Sequence, residues 1–434
     1  PLPAGMTRPL LPINKLGGAF KTPFILLNGA IEPSGNPNPT KALLAQAAYI
    51  LSGVGEIIWM HFPDSGKRRC LRRLVVRKVT AETFGVMCGK REGYFELVNL
   101  KGKVLRAIEP LKAQNPYVIS HDFWVAEDLK SMLTFGLTAG SYEDQSRKKK
   151  AASAKSPEDP NQQILDLGPL RVTASTLNQV DLVNNKAERV FDPFDHFDPN
   201  VARDMWSNHP LLFPEVTFSD YARFFTNPRT WAGPGRKPAH KEWAKATALD
   251  YRKGAGYLIN YRNLDQIVVL DDQFKPQWSV GPNPGSLYRL YDPNDLFAGQ
   301  AYATWVSRES MLVFNNRSAA RFKSEEDNTS KVAIYRKPPQ IPGVIKVWEF
   351  VPEPHYLAET HGSAELQFRE KVVVALFSSV GKRKSVLVEI DLDRKTERAS
   401  MVFNHGQHWS AYRGLPFFQL GQEKFLGKTF NVVD

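Results

Sequence analysis

From Glu56 onward the chain is a succession of short apolar or alternating runs, each closed by turn residues, and this pattern limits the fold more than any other feature. Examples are Glu56 to Phe62, Leu71 to Val79, Thr83 to Cys88, Gly93 to Leu100, Ser131 to Leu137, Gly256 to Asn260, Gln266 to Leu270, Lys371 to Phe377 and Ser385 to Asp391. Runs this short, rich in β-branched and aromatic residues, predict an all-β protein.

Two details repeat along the series. Several runs end on an acidic residue or Asn before a turn, as in Phe95-Glu96-Leu97-Val98-Asn99, Ile267-Val268-Val269-Leu270-Asp271 and Val388-Glu389-Ile390-Asp391. Some runs after a turn carry an early aromatic or Val, as in Lys275-Pro276-Gln277-Trp278 and Ile345-Lys346-Val347-Trp348. Four short strands with a polar turn between the third and fourth make a β-propeller blade. Two stacked sheets joined by ordinary hairpins would give a similar pattern. Length bears on the choice: 434 residues exceed what one core usually serves, so the chain is either several domains or one array of repeated units.

Residues 1–55 read as an N-terminal unit: a Pro-, Gly- and Asn-rich extended arm over 1–38, then a short helix from about Thr40 to Leu51. Residues 56–434 read as the β-rich body, with insertions at 142–163 and 199–241. The first insertion is polar and carries Lys148 to Lys150; the second has a helix start at Thr217 or Ser219. The apolar stretch from Ala42 to Met60 is broken by Gln46, Ser52, Gly53, Gly55 and Glu56, so no transmembrane segment is expected. The chain opens Pro1-Leu2-Pro3 without a Met, which fits a periplasmic, secreted or organelle-imported mature protein.

A formal net charge of +12 favours acidic partners, a sulfated or phosphorylated ligand among them. The basic run from Lys67 to Lys78 alternates with apolar residues like one face of a strand and lacks an aromatic platform, which argues against nucleic acid. Cys70 and Cys88 lie close enough in the chain for neighbouring strands to bring them together, as a disulfide or as two buried thiols. No zinc spacing, P-loop, dinucleotide fingerprint, HExxH or GxSxG occurs, so neither cofactor nor metal is expected; His405 and His408 lack a third ligand. Asn316-Arg317-Ser318 and Asn328-Thr329-Ser330 have the spacing of glycosylation sequons.

A set of short motifs, taken in order, resembles the bacterial aryl-sulfate sulfotransferases. They are His121-Asp122-Phe123, the acidic aromatic stretch Phe191 to Pro199, Trp243-Ala244-Lys245-Ala246-Thr247, Arg262-Asn263-Leu264-Asp265-Gln266, Trp278-Ser279-Val280-Gly281 and Gln300-Ala301. Ser330-Lys331, His361-Gly362-Ser363, Val388-Glu389-Ile390 and Tyr412-Arg413 follow. The resemblance implies a propeller of six four-stranded blades whose sulfuryl-accepting group is a histidine after the Gln. It also implies a second histidine in the W-x-H-x-N motif. Here those positions read Ala301, or Tyr302 with a slip of one, and Lys245.

Sulfuryl transfer needs a nucleophile and donors for the sulfate oxygens. Ala301 cannot attack, the Tyr302 phenol is ordinarily protonated, and a charged Lys245 is a poor base. His121, Lys245 and Arg262 remain as an anion-binding set, although each has a plainer role in packing or pairing. The expected function is therefore a sulfotransferase-like propeller acting as a non-catalytic binding or assembly component, its arm and insertions meeting a protein partner. The alternative is an active aryl-sulfate sulfotransferase with a rearranged site using His121, Arg262 and Tyr302, His361 or His408.

Overall fold

The computed structural model describes residues 13–31, 45–63, 74–88, 94–108, 118–142, 170–197, 241–281, 289–290, 295, 297–316, 329–340, 343–353, 355–356, 358, 361–379, 384–404, 414–417, 424–425 and 428–429. Both predicted insertions, 142–163 and 199–241, fall almost wholly outside these residues.

Strands dominate. In chain order they are β1 (Ile13–Gly17), β2 (Phe24–Ile31), β3 (Ala45–Ser52), β4 (Ile57–His61), β5 (Leu74–Lys78), β6 (Thr83–Cys88), β7 (Tyr94–Asn99), β8 (Val104–Ile108), β9 (Val118–Val125) and β10 (Ser131–Tyr142). Then come β11 (Leu170–Asp181), β12 (Lys186–Phe191), β13 (Lys241–Ala244), β14 (Ala246–Arg252), β15 (Gly256–Tyr261), β16 (Gln266–Leu270), β17 (Pro276–Val280), β18 (Arg289–Leu290), β19 (Tyr302–Trp305) and β20 (Ser310–Asn315). The series ends with β21 (Lys331–Arg336), β22 (Gly343–Phe350), β23 (His361–Gln367), β24 (Val372–Ser379), β25 (Lys384–Asp391), β26 (Thr396–Asn404), β27 (Gly414–Phe417), β28 (Lys424–Phe425) and β29 (Lys428–Thr429).

These strands form six antiparallel four-stranded blades in a ring, a β-propeller. Read from the axis outward, blade 1 is β27-β2-β3-β4, blade 2 β5-β6-β7-β8, blade 3 β9-β10-β11-β12 and blade 4 β14-β15-β16-β17. Blade 5 is β19-β20-β21-β22, with β18 added parallel to β22. Blade 6 is β23-β24-β25-β26, with β1 added antiparallel to β26. The ring is closed from both ends of the chain: β27 completes blade 1 from the C-terminal side, and β1 joins blade 6 from the N-terminal side. Buried Glu389 of blade 6 reinforces the join by accepting the backbone N–H groups of Lys21 and Thr22, each at 2.9 Å.

The described parts of the segment expected to be an arm and a helix thus supply blade strands, β1, β2 and β3. Ala45–Ser52 is a strand in full register with Ile31–Phe24, although Ala and Leu favour helices. Its Ala47, Ala48, Tyr49, Ile50 and Leu51 are all buried, and burial against both neighbouring blades outweighs a local propensity of a few tenths of a kcal/mol per residue.

The polar turn between third and fourth strands is real and repeats. Asp271 Oδ1 accepts the N–H groups of Gln273 and Lys275, Asp391 Oδ1 those of Asp393 and Arg394, and Asp181 Oδ1 those of Val183 and Asn184. Bonds to the carboxylate, from the Asn184 side chain first at Asp181 and from the Arg394 N–H first at Asp391, hold both below the usual carboxylate range. Apolar side chains of adjacent blades interlock between the sheets, for example Leu133, Phe135 and Leu177 of blade 3 with Leu249, Ile259 and Val268 of blade 4. Covered on both faces, strands such as β6 and β16 are buried at every residue, which is why they read as unbroken apolar runs.

Buried asparagines staple blade to blade. Asn28 Nδ2 donates to Leu74 O, Asn260 Nδ2 to Gln300 O at 2.8 Å, and Asn316 Nδ2 to Ala358 O and His361 O. Each joins the end of a second strand to the start of the next blade's inner strand. Asn316 is fully buried and spent in this way, so its sequon cannot accept a glycan in the folded chain. Asn328 lies outside the described residues.

Candidate functional site

Antiparallel blades place the starts of all inner strands on one face of the ring, here called the upper face, with the turns after first and third strands on the lower face. Lys245 immediately precedes β14, Arg262 follows β15, and Gln300 and Ala301 precede β19, so these expected positions share the upper face between blades 4 and 5. The backbones are in direct contact: Arg262 N donates to Lys245 O at 2.9 Å.

Arg262 is buried, and its Nε–H donates to Gly299 O at 2.9 Å. Asp265, in the left-handed region at φ 50°, accepts Gly299 N–H through Oδ1. The two side chains therefore grip opposite ends of one residue, Gly299, and fix the loop that carries Gln300 and Ala301. Gln300 is itself buried, and its amide donates to Tyr261 O and Gln266 O at 3.5 and 3.4 Å. Ala301 N donates to Phe314 O at 3.1 Å, and the residue presents only a methyl group. The sequence anticipated Arg262 as an anion ligand or as the partner of Asp265 or another carboxylate; in the structure its Nε–H holds Gly299 O, on the same residue whose N–H Asp265 accepts.

Tyr302 is 1% exposed, and its hydroxyl donates to Glu365 at 2.8 Å. His121 lies within β9, one residue before Asp122, but its side chain is outside the described residues. His361 opens β23 on the same face, whereas His405 and His408 are not among the described residues. Among the described residues no group of His, Cys, Asp or Glu side chains is arranged to hold a metal ion. Cys88 is disulfide-bonded, and the chain's only other cysteine, Cys70, lies outside the described residues.

Below this level the inner strands converge on charged groups that sequence reasoning passed over. Arg77 of β5 makes a two-bond pair with Asp122 of β9, Nε to Oδ1 at 2.9 Å and Nη2 to Oδ2 at 2.7 Å. Burial opposes the charge on Arg77, but Asp122, then Tyr302 and Asp250, outweigh it and hold its pKa above the ordinary value. Asp250 of β14 accepts the Thr304 hydroxyl and Trp305 N–H, both at 2.7 Å. Burial raises the Asp250 pKa, and the Arg77 charge and these hydrogen bonds only partly offset that rise. Blades 2 to 6 thus each contribute a polar side chain to one axial cluster: Arg77, Asp122, Asp250, Tyr302 and Glu365. The available signal was an Asp followed by an aromatic, His121-Asp122-Phe123 and Leu249-Asp250-Tyr251, at the same place in two successive blades.

Such a cluster fixes the blades against one another more than it offers a reactive group. Asp122 is saturated by Arg77 and two backbone N–H groups, and Asp250 by three donors.

No protein-family model and no curated protein matches this sequence. Among solved structures, a protein of unknown function from Bacteroides caccae is similar at a TM-score of 0.44 and 10% identity, covering 91% of this chain and 98% of that one. An oligogalacturonate lyase in complex with manganese is similar at a TM-score of 0.36 and 8% identity, covering 82% of this chain and 72% of that one. At these scores neither likeness carries an argument about function, and the fold rests on the strand order described above.

Proposed function

We propose that this propeller is a non-catalytic binding or assembly component related in pattern to the aryl-sulfate sulfotransferases, with Lys245 and Arg262 on the upper face, together with His121 of β9, as the elements that meet an anionic, sulfated or phosphorylated ligand. One observation carries the reading. The place given by the resemblance to a sulfuryl-accepting histidine is the methyl of Ala301, on a loop held rigid by Arg262 and Asp265, and the next candidate, Tyr302, has its hydroxyl committed to Glu365. With no imidazole there, a covalent sulfuryl intermediate has no acceptor.

A periplasmic or secreted location is part of the proposal, supported by the disulfide at Cys88, since such bonds persist in oxidising compartments. None of the described helices is long and apolar enough to cross a membrane. Protein partners would meet the insertions at 142–163 and 199–241.

The test uses an aryl sulfate donor and a phenolic acceptor. The expected result is no transfer above the uncatalysed rate, together with binding of the sulfated donor that weakens on raising salt and in Lys245→Ala. Turnover that disappears in His121→Ala would establish the alternative, an active transferase with a rearranged site.

A further inference from the structure

The lower face carries a charge pattern that the anion-binding reading of the upper face does not use. Around the axis, the turns after the first strands of blades 4, 5 and 6 present Arg252 and Lys253, then Arg308, then Arg369 and Lys371. Each turn is closed on itself: Ala255 N–H donates to Arg252 O at 2.9 Å, Ser307 N–H to Ser310 O at 3.0 Å and Lys371 N–H to Phe368 O at 3.3 Å. Two guanidinium groups cross the seam between blades 4 and 5 in opposite directions. Arg252 Nη1 of blade 4 donates to Val306 O of blade 5 at 2.8 Å. The Arg308 guanidinium of blade 5 lies over Gly254 of blade 4, where a Cβ would meet Nε at 3.1 Å and Cζ at 3.2 Å. Backbone groups position both, and Arg252, Lys253 and Arg308 pair with no carboxylate among the described residues.

Most carboxylates of the same arc are already engaged. Glu309 meets Arg336 at 3.3 Å, and Asp393 meets Lys371 at 3.2 Å. Asp271 and Asp391 accept N–H groups of their own turns, and Asp272 accepts the Tyr251 hydroxyl. Glu370 is the remaining acid of these turns, whereas the outer turns add Lys275, Lys337, Arg394 and Lys395, so cations outnumber carboxylates over blades 4 to 6. In blades 2 and 3 the balance reverses, with Glu82, Glu127 and Asp128 against Lys78 and Lys130. The basic arc also carries an apolar contact. Phe368, beside Arg369, is 59% exposed, more than any other large apolar side chain among the described residues, and its closed turn holds it outward.

We propose that the lower face over blades 4 to 6 docks an extended acidic segment of a partner protein, its carboxylates on Arg252, Lys253 and Arg308 and an apolar side chain on Phe368. Charge complementarity selects the acidic groups, and rigid turns with fixed guanidinium groups lower the cost of ordering the site. A flat anionic bilayer would cover the whole face and bring its phosphates against Glu82, Glu127 and Asp128. A narrow segment follows the basic half and avoids them. The site is on the face opposite Lys245 and Arg262, so it stands or falls independently of the anion-binding proposal above.

The experiment selects binders to the intact chain from a randomised library of peptides of about ten residues, long enough to pass from one blade tip to the next, and measures their affinity by fluorescence anisotropy. Recovered peptides should carry Asp or Glu on both sides of Leu, Phe or Trp, and should bind more weakly as salt is raised. Their affinity should fall about tenfold or more in Arg308→Glu and in Lys253→Glu, and by a smaller factor in Phe368→Ser. All three side chains are exposed, so the variants keep the fold, which thermal unfolding checks. Lys245→Ala on the opposite face should change nothing. Recovery of peptides with no enrichment in acidic residues, or an affinity unchanged in Arg308→Glu, would overturn the proposal. So would tighter binding to vesicles of equal phosphatidylcholine and phosphatidylserine, or to a single-stranded oligonucleotide, lost in the same variants.

Discussion

Asp122 and Asp250 make the same pair of bonds in successive blades. In each, Oδ1 accepts the N–H of the following residue, Phe123 or Tyr251, at 2.9 Å, and Oδ2 accepts the N–H of an inner-strand residue of the next blade, Leu249 or Trp305, at 2.7 Å. The repeat extends from backbone to chemistry, and it diverges at one point. Asp122 also holds a guanidinium, whereas Asp250 holds a hydroxyl.

That difference predicts unequal responses to charge removal. Asp122→Leu leaves the Arg77 guanidinium buried without its carboxylate and should cost about 3–5 kcal/mol, the usual penalty for breaking a buried pair. The double variant Arg77→Met with Asp122→Leu should recover much of that loss. Denaturant unfolding of the single and double variants measures both, and equal losses would show that the charge pairing is not the source.

For Asp250 the prediction is a pH trend. Burial raises its folded-state pKa above the ordinary 3.8, so the folded chain binds this proton more tightly than the unfolded chain. Its contribution to stability is therefore full below 3.8 and is lost as pH rises through the raised folded value. Asp250→Asn cannot titrate, and its stability deficit relative to the parent should shrink as pH is raised across that window. A deficit that widens with pH would mean that the carboxylate is stabilised, not penalised, by its site.

Arg262 can be separated from a purely ligand-binding role by its effect on the empty protein. Because Nε holds Gly299 O, Arg262→Ala should lower stability by about 1–3 kcal/mol with no ligand present. Arg262→Lys should not restore it, since an ammonium cannot reproduce a planar guanidinium's placement. Thermal unfolding without ligand reads the effect, and an unchanged midpoint would return Arg262 to the ligand-binding role alone.

Gly256 sits at φ 91°, and a Cβ there would lie 2.1 Å from Leu270 O. Its own carbonyl accepts the Trp305 indole N–H at 3.1 Å, so the turn cannot move away without loosening blade 5. Gly256→Ala should destabilise by at least about 2 kcal/mol, read as a fall in the denaturant midpoint. Gly102 also has a positive φ, at 77°, but nothing lies within 4 Å of a Cβ there, so Gly102→Ala should cost only the backbone strain and distinguishes contact from conformation.

What the sequence by itself determined is local. Short apolar runs and Asp- or Asn-led turns depend on residues a few positions apart, and so Asn99, Asp271 and Asp391 were legible as the hinges between third and fourth strands before any blade was seen. Tertiary structure decided what depends on neighbours distant in the chain. Ala45–Ser52 is a strand only because β2 and the adjacent blades bury it, and the ring closes only because β1 and β27 meet blades formed from other parts of the chain. The axial meeting of Arg77 with Asp122, and the grip of Arg262 and Asp265 on Gly299, belong to that second class. Each is set by side chains on different strands, or on a strand end and a loop, whose separation is fixed by packing and left open by sequence spacing.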